Sequence, residues 1–317
     1  MTDIKKIGIV GCGFVGSTIA YTMMESGLFS EMVLIDINEE KARGEAMDLN
    51  HCLPFLSPMQ IYQDSYEGLE GAAVVVIAAG ANQKPGETRT DLLHKNVSIF
   101  RDIIGNITRV NSECILLVVT NPVDVLTYYT LKMSGFPKER VIGSGTVLDS
   151  ARLKHLIGER LEVDSRNVHT FILGEHGDSE FPVWSSANVS GIDMADYCPI
   201  CEKCGDICEL YGIFDFVRDS AYEIIEAKGA TYYAIAQAAK RIITSIVRDE
   251  KTILPVSTLV SGHYGVDGIC LGVPSVVGRG GAEHVLDIPL NEDESKMLSD
   301  SAEKMKELIA ELDGAMV

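Results

Sequence analysis

Ile4-Lys5-Lys6-Ile7-Gly8-Ile9-Val10-Gly11-Cys12-Gly13-Phe14-Val15-Gly16 is an apolar run that breaks into closely spaced glycines. Residues 4–10 read as a buried strand, and the apolar residues that resume after the glycines, to about Gly27, read as a helix. The pattern Gly11-x-Gly13-x-x-Gly16 is a weak signal by itself. Set between a strand and a helix, it makes a tight turn whose backbone N–H groups can approach a pyrophosphate, with the helix N-terminus favouring the anion. A second strand, 32–37, carries Asp36, 20 residues after Gly16. There a carboxylate can accept hydrogen bonds from a ribose diol and repels a 2′-phosphate, which favours NAD over NADP. Gly11, Gly13, Phe14, Val15, Gly16 and Asp36 are therefore the expected cofactor-binding residues.

Outward from this turn, 72–79, 114–119 and Val141-Ile142 are further apolar runs separated by helical patterns. Strands apolar on both faces indicate a parallel sheet covered on both sides. The second half reads differently. Residues 166–173 alternate as a strand would, 215–228 and 230–248 look like helices joined at Gly229, 253–259 and 268–278 look like antiparallel strands, and 291–312 is a helix. The expected fold is α/β: a doubly wound (Rossmann) NAD-binding domain over 1–143, then an α+β substrate-binding and catalytic domain over 144–317.

The chain has 317 residues, of which 46% are hydrophobic, enough for a substantial core, and a formal charge of −19, which argues against nucleic acid or anionic lipid as a partner. No apolar run reaches membrane-spanning length and no secretory leader is visible, so a cytoplasmic protein is expected. Of the eight cysteines, Cys12, Cys52, Cys114 and Cys270 are scattered and read as buried thiols.

In the second half, Asp149 and Arg152 open a helix, and His176 sits in Gly174-Glu175-His176-Gly177-Asp178. A carboxylate, a guanidinium and an imidazole are the parts that grip a small carboxylate and move a proton on its neighbouring carbon. The glycines around His176 point to unusual backbone or to close approach of a ligand. Residues 80–89, rich in glycine and proline after a strand, read as a lid that brings Arg89 onto substrate, and Asn121-Pro122 follows another strand at the same sheet edge.

On these residues, with Gln83 to Arg89 and Lys228-Gly229-Ala230-Thr231, the chain resembles the lactate/malate dehydrogenase family over nearly its whole length, with a pattern nearest the bacterial lactate branch. The resemblance implies a reversible hydride transfer between NADH and pyruvate giving L-lactate. His176 would be the acid/base, Asp149 its orienting partner, Arg152 the carboxylate anchor and Arg89 the group stabilising charge on the carbonyl oxygen. It further implies that Asn121 contacts the reacting centre, Ser144 the nicotinamide amide, Thr231 the substrate pocket and Ile235 the nicotinamide ring. Gln83 stands where malate-specific relatives carry arginine. A neutral side chain leaves a second carboxylate unpaired, which selects pyruvate over oxaloacetate; malate or a branched 2-hydroxy acid as the substrate is the alternative.

By the same resemblance, Lys154 and His169 occupy positions at which relatives bind fructose 1,6-bisphosphate as an effector, lysine standing for arginine, and a homotetramer or dimer is implied. The family reaction needs no metal, and no metal ligand is assigned. Cys198, Cys201, Cys204 and Cys208 nevertheless follow the spacing C-x2-C-x2-C-x3-C, with Glu209 in place of the proline that follows in ferredoxins. The run falls in what reads as a surface connection. It leaves metal binding, thiol oxidation and a redox module of another class as competing readings.

Overall fold

The structure is a computed structural model that describes residues 5–81, 89–204 and 207–315. It divides into two units, Met1–Ser144 with Tyr232–Thr252 and Val276–His284, and Gly145–Thr231 with Ile253–Ser275 and Val285–Val317.

The first unit is built on β1 (Lys6–Val10), four of whose five residues are buried. The glycine turn leads into α1 (Phe14–Ser26), which Gly27 ends in left-handed backbone. β2 (Glu31–Ile35), α2 (Glu39–Cys52), β3 (Gln60–Gln63), β4 (Val74–Ile77), α3 (Arg89–Val110), β5 (Ile115–Val118), α4 (Val123–Ser134) and β6 (Val141–Gly143) follow. These strands lie in the order β6-β5-β4-β1-β2-β3 and pair in parallel. Ile9 is flanked by Leu34 on one side and Val76 on the other. The chain thus winds outward from β1 in one direction and from β4 in the other. Its reversal point lies where the glycine turn leaves β1, the position at which open α/β sheets bind ligands. Ile7, Ile9, Val74 to Ile77, Leu116 and Leu117 are fully buried, which explains their uninterrupted apolar runs. β3 was not expected from the sequence: it is a short edge strand with one buried residue, Ile61.

The second unit begins with α5 (Val147–Leu161), followed by β7 (Val168–His169), β8 (Ile172–Leu173), β9 (Phe181–Pro182), β10 (Asn188–Val189), β11 (Ile192–Asp193), α6 (Met194–Cys201), α7 (Cys208–Tyr211) and α8 (Ile213–Lys228). The strand expected over 166–173 is two. Residues 165–167 form a 3-10 turn, β7 pairs with β10, and β8 pairs with β9. The chain changes sheets at Thr170-Phe171, so the alternation in the sequence spans two ladders.

The chain then re-enters the first unit as α9 (Tyr233–Arg248), packed on α1. The helix starts at Tyr233 and not at Ala230: 230–232 form no regular structure after the left-handed Gly229, and Tyr232 is the N-cap. Its buried face, Ala236, Ala239, Ile242, Ile243 and Ile246, follows helical spacing, and each isoleucine contributes about 2 kcal/mol of burial. β12 (Thr252–His263) and β13 (Val266–Gly278) are neighbouring strands joined at Tyr264-Gly265; β14 (Gly281–Val285) and α10 (Glu292–Ala315) complete the chain. Among the described residues no helix is long and apolar enough to cross a membrane. Cys52 is half-buried, not buried as expected.

Candidate active site

In the first unit the glycine turn is shaped by close approach. Gly11 has φ +97°, and a Cβ there would meet the backbone of Ala79 at 2.5 Å. A Cβ on Gly16 would lie 1.8 Å from the Gly11 carbonyl oxygen, so only glycine lets α1 start this close to β1. A Cβ on Gly13 would meet nothing within 4 Å: this face of the turn is open. Gly13 is also the N-cap of α1, and no side chain caps the helix there. An open face at an uncapped helix N-terminus fits the pyrophosphate of a dinucleotide. Asp36 sits beside it. Its two carboxylate oxygens accept the N–H groups of Cys12, at 2.7 Å, and Asn38, at 2.9 Å. The carboxylate is thereby held at the rim of the turn, and an oxygen has lone pairs left for a diol. Phe14 is 69% exposed and stacks on Tyr232, with ring centroids 5.4 Å apart; Val15 is half-buried. Ile235 lies half-buried in the first turn of α9. Ser144 is buried after β6 and donates its N–H to the Val118 carbonyl. Asn121, exposed beyond β5, accepts a hydrogen bond at its carbonyl from Asn96. Gln83 lies outside the described residues. Arg89 opens α3, but its side chain lies outside them too.

The second unit brings Asp149, Arg152 and His176 together. Asp149 is in the first turn of α5, where the helix dipole favours an anion, and Arg152, three residues on, shares its face. Ser150 on the same turn accepts the Ile172 N–H at 2.8 Å, and Thr146 donates to the Ile172 carbonyl at 2.5 Å. These bonds pin β8, and with it the loop that carries His176, to the start of α5. Beyond β8, Gly174 has φ +97° and exchanges two backbone hydrogen bonds with Gly272 of β13. From α10, Ser301 Oγ accepts the Glu175 N–H at 2.8 Å. The histidine loop is therefore held on three sides by α5, β13 and α10.

In this setting His176 Nδ1 lies 2.7 Å from Asp149 Oδ2, and Arg152 Nη1 donates to Asp149 Oδ1 at 2.8 Å. The Asp149 side chain is 2% exposed, so its charge is compensated by its two partners and not by water. Burial would raise the Asp149 pKa, but the His176 charge and hydrogen bond and the Arg152 charge hold it below the usual carboxylate value. Burial alone would push His176 down; the Asp149 charge and hydrogen bond, with Glu180, raise it well above the usual imidazole value.

Glu180 is the residue that the sequence reading missed. Its side chain is 3% exposed and its Oε2 lies 3.6 Å from His176 Nδ1, too far for the proton that Asp149 already receives. That oxygen has no hydrogen-bond partner. Burial, and then the nearby Asp149 charge, outweigh the pull of His176 and move the Glu180 carboxyl up to about 7. Asp149, His176 and Glu180 also offer ligand atoms close enough for a metal ion. The Arg152 guanidinium on Asp149 opposes a second cation there. The nearest sequence signal was the position of Glu180, four residues after His176.

Thr231 is half-buried after Gly229. Lys154 and His169 line one cavity of about 410 Å³, with Thr170, Phe171 and Asn188. Lys154 Nζ lies 5.7 Å from the Phe171 ring centroid, and burial lowers its pKa; His169 is exposed. The cysteine run lies in a largely exposed connection, as expected, but two of its thiols turn inward: Cys198 is fully buried and Cys204 5% exposed. The side chain of Cys208 lies outside the described residues.

The lactate/malate dehydrogenase NAD binding domain model matches residues 5–143, and the lactate/malate dehydrogenase alpha/beta C-terminal domain model matches residues 146–314. The chain is 54% identical over 310 residues to the L-lactate dehydrogenase of Acetivibrio thermocellus, covering 98% of each chain. It is 50% identical to L-lactate dehydrogenase 1 of Clostridium acetobutylicum, over 97% of this chain and 98% of the relative. Among solved structures it is similar to a lactate dehydrogenase from a Medee basin deep-sea metagenome library (TM-score 0.95, 45% identity, 98% and 99% of the two chains). It is also similar to the minor L-lactate dehydrogenase of Enterococcus mundtii in its ligands-bound form (TM-score 0.93, 41% identity, 98% of each chain).

Proposed function

Because the chain belongs to the lactate/malate dehydrogenase family, we propose that it is an NAD-dependent L-lactate dehydrogenase that interconverts pyruvate and L-lactate. The observation that carries this reading is the buried chain of contacts Arg152–Asp149–His176. The glycine turn and Asp36 would hold NAD, which when bound would supply the hydride as NADH or accept it as NAD+. With Nδ1 committed to Asp149, His176 exchanges its proton with the substrate oxygen through Nε2. Asp149 holds the tautomer and stabilises the imidazolium. A histidine whose pKa is raised arrives protonated, ready to act as the acid in pyruvate reduction. Asp149 also anchors one edge of the Arg152 guanidinium, and the fork presents its remaining donors to the substrate carboxylate in bidentate form.

In the same reading Arg89 stabilises the developing oxyanion, Asn121 contacts the reacting centre and Thr231 lines the pocket. Ser144 and Ile235 position the nicotinamide. Gln83 accommodates the methyl of pyruvate and offers no cation to a second carboxylate. Steady-state assays with NADH and either pyruvate or oxaloacetate test this. Pyruvate should be strongly preferred, and Gln83→Arg should move the preference toward oxaloacetate. An unaltered preference would remove Gln83 from the specificity role. His176→Asn should lose most turnover while NADH binding, followed by fluorescence, stays close to that of the parent.

Fructose 1,6-bisphosphate is the effector in this reading, and the cavity lined by Lys154 and His169 supports it. A phosphate would favour the ammonium form that burial of Lys154 disfavours, so binding should weaken as pH rises toward the lowered Lys154 pKa. The enzyme is read as a cytoplasmic homotetramer.

A further inference from the structure

Asn96 has no role in the chemistry above, yet it stands where a leucine would pack. It lies on the inner face of α3 with Leu93, Val97, Phe100 and Ile104, all buried, and is itself 1% exposed. A buried carboxamide among apolar neighbours is costly unless its polar atoms are used. Asn96 Oδ1 accepts the Ala81 N–H at 2.8 Å, and Asn96 Nδ2 donates to the Asn121 carbonyl across a longer 3.5 Å. The two ends of the amide are not interchangeable: the N–H needs the oxygen, and the carbonyl needs the NH2 group.

Ala81 and Asn121 follow the carboxyl ends of β4 and β5, neighbouring strands that pair in parallel. Other groups tie the same two segments together. Thr120 Oγ1 donates to the Ala79 carbonyl at 2.8 Å. Gly80 passes close to both Thr120 and Asn96: a Cβ there would lie 2.5 Å from Thr120 Cγ2 and 3.4 Å from Asn96 Oδ1. Asn121 is exposed, and its backbone carbonyl is the point at which a buried group takes hold of it. α3 itself begins at Arg89, about two turns before Asn96. The helix that carries Arg89 is therefore the one that Asn96 fastens to both segments.

We propose that Asn96 is a positioning residue for hydride transfer: its amide clamps the segments after β4 and β5 to α3, and so sets Asn121 in place before substrate arrives. The inference rests on the dehydrogenase reading, in which Asn121 contacts the reacting centre and Arg89 stabilises the oxyanion. Asn96 touches neither substrate nor cofactor in it and acts through Asn121 and α3. A small displacement of groups at a reacting centre slows the chemical step far more than it weakens ground-state binding. The signature of Asn96 is therefore a loss in kcat at nearly constant KM.

The test compares the full-length wild type with Asn96→Leu, which fills similar space with neither polar atom. Pyruvate reduction is followed with NADH and with NADH deuterated at the transferred position, and kcat is counted per NADH-binding site by fluorescence titration. Asn96→Leu should lower kcat on the order of 10–100-fold, with KM for pyruvate and NADH affinity close to wild type. It should also show a large primary deuterium isotope effect on kcat, because hydride transfer becomes the slow step. Asn96→Ser, whose hydroxyl can serve one partner, should fall between the two; should Asn96→Leu not fold, Asn96→Ser decides by the same readouts. A wild type that does not reduce pyruvate overturns the dehydrogenase reading and this inference with it. An active wild type overturns this inference alone if the variant keeps full kcat, or loses kcat with an isotope effect near one.

Discussion

Two carboxylates share one imidazole in this site, and they differ in what they do to it. Asp149 takes the Nδ1 proton and stays ionised. Glu180, without a hydrogen-bond partner at Oε2, keeps its own proton to about pH 7. Replacing Asp149 by Asn removes the larger support for the imidazolium, so the alkaline limb of pyruvate reduction should move to lower pH and kcat should fall. Glu180→Gln should move that limb less and in the same direction. Stability gives an independent check on Glu180. Its folded pKa is raised from 4.5 to about 7, so its contribution is complete below pH 4.5 and is lost as pH rises to about 7. Glu180→Gln should therefore flatten the fall in Tm across that window, and an unchanged slope in calorimetry would return Glu180 to a passive role. The sequence made Asp149, Arg152 and His176 legible because each is a chemical type with a known partner. A single buried glutamate carries no period or motif, so Glu180 emerges only when the chain entering β9 brings it within 3.6 Å of His176 Nδ1.

The elements show the same division. β1, β2, β4 and β5 are buried on both faces and read directly as apolar runs. β3 has one buried side chain and left no pattern. Residues 166–173 alternated as one strand, but β7 and β8 belong to different ladders, and alternation cannot tell one ladder from two in succession. Nor does periodicity reveal that α10 braces the histidine loop. Ser301 is fully buried, and its Oγ accepts the Glu175 N–H and meets Ser179 Oγ at 3.1 Å. Ser301→Ala leaves that N–H without its acceptor, a loss of about 1–3 kcal/mol. Tm should drop accordingly and kcat should fall while NADH affinity holds, because the substitution is in α10 and the cofactor turn is in the other unit. A variant with full kcat would mean that α5 and β13 suffice to hold the loop.

At the scale of the molecule, the formal charge of −19 disfavours broad contact with nucleic acid phosphates or anionic membranes. The first unit is assembled from three stretches of chain, and the second of them contributes α9, whose apolar face covers α1. This has a bearing on modularity. A gene cut after Ser144 would encode every parallel strand and the whole glycine turn, yet leave Ile19, Ala20 and Met23, all fully buried in the intact chain, without the helix that packs on α1. Such a fragment should behave as a loosely packed, dye-binding species with native-like far-ultraviolet dichroism and no measurable NADH affinity. Adding residues 232–252 as a separate peptide should restore part of that affinity. Exchange of cofactor halves between related enzymes therefore requires carrying a remote helix along with the contiguous segment, and breakpoints chosen from the linear order of domains alone will yield chimaeras that collapse without folding.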